Sequence, residues 1–361
     1  MTHLLIDAVG SRSGGGATVA LAVLQAALEH PAIHRVTLTA LPPDDRRFTL
    51  PEHPRLTVIT PPAAAYPARL VWHSAGVGAL ARAIRADRVL DLNALGHTPG
   101  IPRAVLLQQQ LVLITPPDSL DAGHRARLWL MRQLTASAAS SAALRVAQRP
   151  GVARQVEAWL HKPTITLMPH ATWPDTSPLY HERDLLDVMA RDHNPRILYV
   201  GSDLPTKRLD ILLAAMRHLR REHPATLYCT LPPSHPMLRG DGIVALGDLS
   251  RAAVREAMEL ATCLVLPSEV ETVGLPLVEA MSVGCPCVAP ALPYAEEMAD
   301  GAIDLFRPGD IHALADTLLR LLSSPGRRAA LSARGRQRHA ALLAQRPYPT
   351  LIDLLLAAEA P

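Results

Sequence analysis

The sequence predicts an α/β protein made of two doubly wound domains. Three observations lead there. Apolar runs of strand length alternate with amphipathic helical stretches, the alternation breaks once near residues 170–194, and 361 residues with a 48% hydrophobic fraction suffice for two ordinary cores.

The first series opens with HLLIDAVG, reads as helix over residues 17–29, and continues through the strands RVTLTAL and RLTVITP. Helix over 71–86, RVLDLN, RAVLLQQQ, helix over 124–138, ALRVAQ, helix over 152–160 and TITLMP complete a domain at residues 1–169. Such alternation implies a parallel sheet with helices on both faces. Residues 170–194, HATWPDTSPLYHERDLLDVMARDHN, are rich in Pro, His and charge and read as a linker. A second domain at 195–345 opens with RILYVGS, followed by helix over 206–222, ATLYCTL, IVALG, helix over 250–260, CLVLP, PCVAP, AIDLF and helix over 310–322. The end, 346–361, contains a last helical stretch. Ligands of doubly wound sheets bind at the carboxyl ends of the strands, so a cleft between the two domains is expected to hold the site.

Composition narrows the function classes. Aromatics are only 3%, which speaks against stacking platforms for single-stranded nucleic acid, and no nucleic-acid partner is expected. Nothing approaches the roughly 18 uninterrupted apolar residues of a membrane span. MTHLLIDAVG, with Asp7 inside its apolar run, reads as a first strand and not as a secretory signal. Cys229, Cys263, Cys285 and Cys287 lie in apolar, strand-like stretches without zinc-site spacing, so reduced core thiols, no metal and a cytoplasmic location are expected. Net charge is +3, but residues 1–170 hold 17 Lys and Arg against 10 Asp and Glu, and the rest 19 against 23. The basic half suits peripheral contact with an anionic membrane face or an acceptor carrying phosphate; a mixed, solvated surface explains it equally.

The segment CLVLPSEVETVGLPLVEAMSVGCPCVAP, residues 263–290, carries the chemistry. It reads as strand, tight loop and helix, with Pro276 at the first helical position and Gly274 allowing close backbone approach. Free amides at a helix start favour an anion. Glu271 and Glu279 beside such an anion would repel a diphosphate they touched, so they suit hydroxyl pairs of a sugar or ribose. Helix-dipole complementation by Glu279 and a solvated Glu271 remain an equal reading of the same residues. Upstream, Lys207 follows a strand and the turn GSDLPT. In the first domain, Gly14, Gly15 and Gly16 form a glycine-rich strand-to-helix loop that lacks dinucleotide or P-loop spacing. Gln108, Gln109 and Gln110 end a strand, which suggests that its end opens into a polar site. His97 and His170 are alternative polar groups.

ETVGLPLVEAMSVGCPCVA resembles the donor-binding signature of the retaining glycosyltransferases of family four, also called group 1 glycosyltransferases, which carry two glutamates separated by seven residues. RILYVGSDLPTKRLDILLAAM and GDLSRAAVREAMELATCLVLPS resemble further stretches of that family, and the match weakens in the first half. The resemblance implies the GT-B fold, two Rossmann-like domains facing across a cleft, with the last helix crossing back to the first domain. It implies that Glu271 contacts the donor sugar and Glu279 the nucleotide ribose, with Thr272, Val273, Gly274 and Leu275 lining the donor site. Lys207 matches a diphosphate-binding lysine, and Ser202 stands where the family has its arginine. Arg208 replaces the family's glycine and is a candidate for the missing charge. Gly14–Gly16 and Gln108 or Gln110 fall on the acceptor side.

The implied activity is metal-independent, retaining transfer of a sugar from a nucleotide sugar to a glycan, lipid-linked or other glycoconjugate acceptor. The donor is a co-substrate, and no cofactor is implied. Front-face transfer needs no protein nucleophile, which fits the lack of an acid–base pair. Ser202 leaves open a non-catalytic relative that binds a nucleotide sugar or glycan as a partner subunit, and the glutamate signature argues against a GT-B epimerase or hydrolase.

Overall fold

The computed structural model describes residues 2–11, 14–40, 50–62, 66–108, 122–173 and 177–360. Its internal contacts divide the chain into one unit of residues 1–169 with 345–361 and a second of residues 170–344. Each unit is a doubly wound α/β layer structure.

In the first unit, strands β1 (Thr2–Asp7), β2 (Ile33–Thr39), β3 (Leu56–Ile59), β4 (Arg88–Asp91), β5 (Arg103–Leu107), β6 (Leu144–Ala147) and β7 (Ile165–Thr166) form one sheet in the order β3-β2-β1-β4-β5-β6-β7. Every pair is parallel. Leu4, Leu5, Ile6, Val89, Leu90, Val105 and Val146 are almost wholly buried, as expected of central strands covered on both faces. The helices are α1 (Gly14–Glu29), α2 (Tyr66–Val71), α3 (Val77–Ala83), α4 (Ala122–Ser140) and α5 (Pro150–Leu160). A π-helical turn, Trp72–Gly76, joins α2 to α3, so the single helix expected over 71–86 is irregular and starts earlier.

The second unit holds β8 (Arg196–Tyr199), β9 (Thr226–Cys229), β10 (Ile243–Ala245), β11 (Cys263–Val265), β12 (Cys287–Pro290) and β13 (Asp304–Phe306), again all parallel, in the order β10-β9-β8-β11-β12-β13. Its helices are α6 (Tyr180–Arg191), α7 (Leu209–Leu219), α8 (Arg251–Leu260), α9 (Leu275–Val283), α10 (Pro293–Ala299), α11 (Ile311–Leu322) and α12 (Pro325–Ala344). Helices α7 and α11 enclose a core with Ile197, Leu212, Met216, Cys229, Val265, Leu314 and Leu318. The four cysteines are free and buried, and burial pushes the Cys229 and Cys263 thiols up to about 12, which suits inert core residues.

Three expectations need correction. Residues 170–194 are not a bare linker: they belong to the second unit and contain α6, which buries Leu186 and Met189. Its buried Glu182 accepts a hydrogen bond from Leu179 N at 2.6 Å and one from Ser250 Oγ at 2.7 Å, which ties α6 to the start of α8. The helix expected over 206–222 begins only at Leu209, after a 3₁₀ turn at Pro205–Lys207. Helix α9 begins at Leu275, so Pro276 stands at its second position, where a missing N–H is still harmless. The final helix, α13 (Pro347–Ala357), is assigned to the first unit.

Candidate active site

The strand order of the second sheet reverses between β8 and β11, the switch point where open α/β sheets hold ligands. The loops leaving these two strands carry most of the residues singled out by sequence. After β8, the Tyr199 hydroxyl donates to Ser202 O at 2.6 Å, and Gly201 N donates to Thr230 Oγ1 at 3.3 Å. Burial, and then the neighbouring Cys229, Glu271 and Asp203, push the Tyr199 phenol far above its ordinary range, so it stays a donor. After β11, Tyr294 Oη donates to Ser268 O at 2.8 Å. The two loops are stitched together by Glu269 N donating to Thr206 O at 2.8 Å.

Gly274 ends the second loop at φ +72°, and a Cβ there would stand 3.1 Å from the Tyr294 ring. Only glycine combines that left-handed backbone with that approach. The turn delivers the chain into α9, in whose first turn Pro276 has no N–H and Leu277 N already donates to Gly274 O at 2.8 Å, so the Leu275 N–H is the main-chain donor of the first three positions that such a turn can offer. Val273 and Leu275 are buried, so their main chain is what they can offer a ligand, while Thr272 is half-buried.

Lys207 Nζ donates to Glu271 Oε1 at 2.6 Å, with the two side chains 22% and 12% exposed. Glu279 lies on α9 and accepts from Arg251 Nη1 at 2.7 Å. Each carboxylate singled out by sequence therefore has its own cation. The repulsion expected between two carboxylates and a neighbouring diphosphate is largely cancelled by these pairs. Arg251 had no sequence signal of its own; it opens α8, after the N-cap Ser250, and is linked to Glu279 only through tertiary packing.

Arg208 adopts a left-handed backbone, φ +49° and ψ +41°, at the cap of α7. Glycine would adopt this backbone without the steric cost that arginine carries. Its guanidinium donates from Nε and Nη2 to the two oxygens of Asp210, both at 3.1 Å, and Glu269 lies 3.9 Å from Nη1. The Ser202 side chain is exposed.

In the first unit, Gly14 and Gly15 are exposed and Gly16 half-buried in the first turn of α1; Gly14 has φ +57°. The loop before them is fixed by a buried network that sequence reading missed. Gly10 N donates to Asn93 Oδ1 at 2.7 Å, and Asn93 Nδ2 donates to Asp7 Oδ2 at 3.0 Å. Asp7 also accepts from Thr39 Oγ1 at 2.6 Å and Trp72 Nε1 at 3.2 Å, with His73 Nδ1 at 3.1 Å. Asp7 ends β1 and Asn93 follows β4, the two strands on either side of this sheet's switch point. An Asp inside an apolar strand was the available signal. Gln108 is half-buried and donates to Leu92 O at 3.3 Å; Gln109 and Gln110 lie outside the described residues. His97 Nδ1 lies 3.3 Å from Ser141 Oγ, and His170 packs edge-on against His339.

Comparison with known proteins agrees with this architecture. Residues 194–324 match the family described as glycosyl transferases group 1. A segment of 160 residues is 31% identical to an MMP α-(1→4)-mannosyltransferase of Mycolicibacterium hassiacum, covering 41% of this chain and 39% of that protein. Among solved structures, sucrose-phosphate synthase from Thermosynechococcus elongatus superposes with a TM-score of 0.75 at 18% identity, covering 99% of this chain and 98% of its own. Anabaena HepE, solved with UDP and glucose, superposes with a TM-score of 0.72 at 15% identity, covering 99% and 100%. At those identities the structural likeness establishes the fold, and the family match supplies the kinship. The chain thus has the GT-B fold, and its residues 194–324 are similar to the group 1 glycosyltransferases.

Proposed function

We propose that this protein is a retaining glycosyltransferase that moves a sugar from a nucleotide-sugar donor to a glycan, lipid-linked or other glycoconjugate acceptor. The observation that carries the reading is the pair of neutralised carboxylates, Lys207–Glu271 and Arg251–Glu279, around the start of α9 at the sheet's switch point. Glu271 has a role toward sugar hydroxyls and Glu279 toward the ribose. Lys207, with the Leu275 N–H at the start of α9, takes the diphosphate charge. Fixed cations and amides aimed at a leaving group are worth roughly 3–4 kcal/mol per donor in comparable sites.

In the front-face course proposed, the bond from the anomeric carbon to the diphosphate oxygen breaks, and the acceptor oxygen bonds to that carbon on the same face. The acceptor proton passes to the departing phosphate oxygen. No side chain need act as nucleophile or base. The reading is metal-independent. Arg208 is proposed to serve the loop through Asp210, which leaves Lys207 as the principal diphosphate cation. Gly14–Gly16 and Gln108 are assigned to the acceptor side.

Transfer and hydrolysis assays with UDP-, GDP- and ADP-sugars test the proposal. Turnover of one donor, unaffected by chelator, is expected; loss of activity in chelator and rescue by a metal ion would contradict the course above. The second reading, a non-catalytic nucleotide-sugar or glycan binder, is favoured by one observation: Ser202 replaces an arginine, and Arg208 is already held by Asp210. Donor binding without turnover on any acceptor would select it.

Contact with an anionic membrane face at the cytoplasmic side belongs to the same proposal. Among the described residues no helix is long and apolar enough to cross a membrane. Helix α4, however, contains no acidic residue and exposes Trp129 and Leu130 beside Arg125 and Arg127. Apolar and basic groups together suit a charged lipid surface. Co-sedimentation with phosphatidylglycerol vesicles but not phosphatidylcholine vesicles is expected, weakened in a Trp129→Ser, Leu130→Ser variant; equal recovery from both lipids would refute the contact.

A further inference from the structure

Glu279 is held by a closed ring of interactions that donor binding alone does not call for. Arg251 donates from Nη1 to Glu279 Oε1 at 2.7 Å and from Nη2 to Thr172 O at 2.6 Å. Its guanidinium lies over the Trp173 ring, 4.9 Å from the centroid. Trp173 Nε1 donates to Ser282 Oγ at 2.8 Å, and Ser282 Oγ donates to Glu279 O at 2.6 Å, which returns the ring to the helix it began on. Arg251 and Glu279 are only 14% and 6% exposed at their side chains.

A planar guanidinium held at one end by a carbonyl and on its face by an indole has little freedom left. It therefore fixes the rotation of the carboxylate it grips. Oε1 of Glu279 is occupied, and among the described residues its Oε2 makes no hydrogen bond. A fixed acceptor discriminates, because a ligand that lacks the matching hydroxyl leaves it unsatisfied, whereas a freely turning carboxylate finds other donors.

We propose that Arg251 is a specificity-determining positioning residue: through its grip on Glu279 Oε1 it orients Oε2 toward the ribose hydroxyls, so that the site selects ribonucleotide over deoxyribonucleotide donors. The inference rests on the assignment of Glu279 to the ribose made above. It adds that the choice is set by residues 172, 173 and 251, none of which needs to touch the donor.

Calorimetric binding of UDP, GDP and ADP and of their 2′-deoxy counterparts to the full chain tests it, with Arg251→Met and Arg251→Lys variants alongside. The wild type is expected to bind one ribonucleotide at least about tenfold tighter than its deoxy form, the size of one hydrogen bond to a charged group. Arg251→Met is expected to bring that ratio to within about twofold of unity, with the loss falling on the ribonucleotide. Arg251→Lys keeps the charge but cannot grip Glu279 and Thr172 together, so an intermediate ratio is expected. It also serves as the measurement if the methionine variant does not fold.

A folded Arg251→Met variant with an unchanged ratio would overturn the inference. So would an equal loss for both sugars, which is what a merely structural role produces. If the wild type binds a nucleotide but shows no ribose preference, the inference fails while the donor site stands. If it binds none of the six nucleotides, the donor reading itself fails first.

Discussion

Lys207 and Glu271 sit 2.6 Å apart, and each is the nearest source of a specific loss when the other is changed. Glu271→Gln is expected to lower turnover at least roughly tenfold with the melting temperature nearly unchanged, because the amide keeps shape and loses the charged acceptor. Lys207→Ala is expected to raise the donor dissociation constant by about tenfold or more; wild-type kinetics in both variants would remove the site assignment. Arg208→Gly separates backbone from charge. A left-handed non-glycine residue costs roughly 1–2 kcal/mol, and the Arg208–Asp210 pair, exposed as it is, returns less. The variant should therefore melt higher and keep donor affinity within about threefold; a tenfold loss would make Arg208 a diphosphate ligand. The two glutamates and Lys207 were legible in the sequence because their spacing to Gly274 and to the strands is local. Arg251, Trp173 and Asn93 were not, since their meaning arises only when distant segments close on them.

The strand–loop–helix from β11 to α9 depends on one glycine. Gly274→Ala forces a Cβ into the left-handed region and within 3.1 Å of Tyr294 and 3.3 Å of Leu266. A cost of about 1–3 kcal/mol is expected in denaturant unfolding, together with weaker donor binding as the start of α9 shifts. An unchanged midpoint would mean the loop relaxes at no cost. Strands were read well, because parallel strands buried on both faces give continuous apolar runs. Helices were read less completely. Helix α6 looked like a linker because Pro178 and the charges of HERD mask its apolar stripe, and its anchor is the buried Glu182. Helix α12, GRRAALSARGRQRH in its centre, buries only Leu331, Gly335 and Leu342, too sparse a pattern to stand out.

The first unit is discontinuous in sequence: its sheet comes from residues 1–169 and its last helix from residues beyond 344. Leu351, Ile352 and Leu355 of α13 are buried, Arg88 Nε donates to Leu355 O at 3.2 Å, and His30 Nε2 lies 3.0 Å from Asp353 Oδ1. Three buried aliphatic side chains are worth roughly 5–9 kcal/mol, comparable with the whole stability of a domain. Removing residues 345–361 should therefore abolish hydrogen-exchange protection in β1 and β4 while β8 and β11 stay protected; equal protection in both units would contradict it. Acid should also act on both units. Burial, with Arg35 next in importance for His3, Arg103 for His97 and His170 for His339, holds all three histidines below their ordinary value of 6.5. The unfolded chain takes up these protons first, so stability is full above pH about 6.5 and declines as pH falls below it. Denaturation midpoints at pH 7.5 and 5.5 check this, and His339→Gln should flatten part of the slope. The return of α13 has a consequence for synthesis. A ribosome releases the first unit's sheet before the second unit and its closing helix after it, so the second unit can complete itself while the first waits, open along α1, for α13. The half made first is the half finished last, and a chaperone that shields nascent chains would find its longest-lived client surface there.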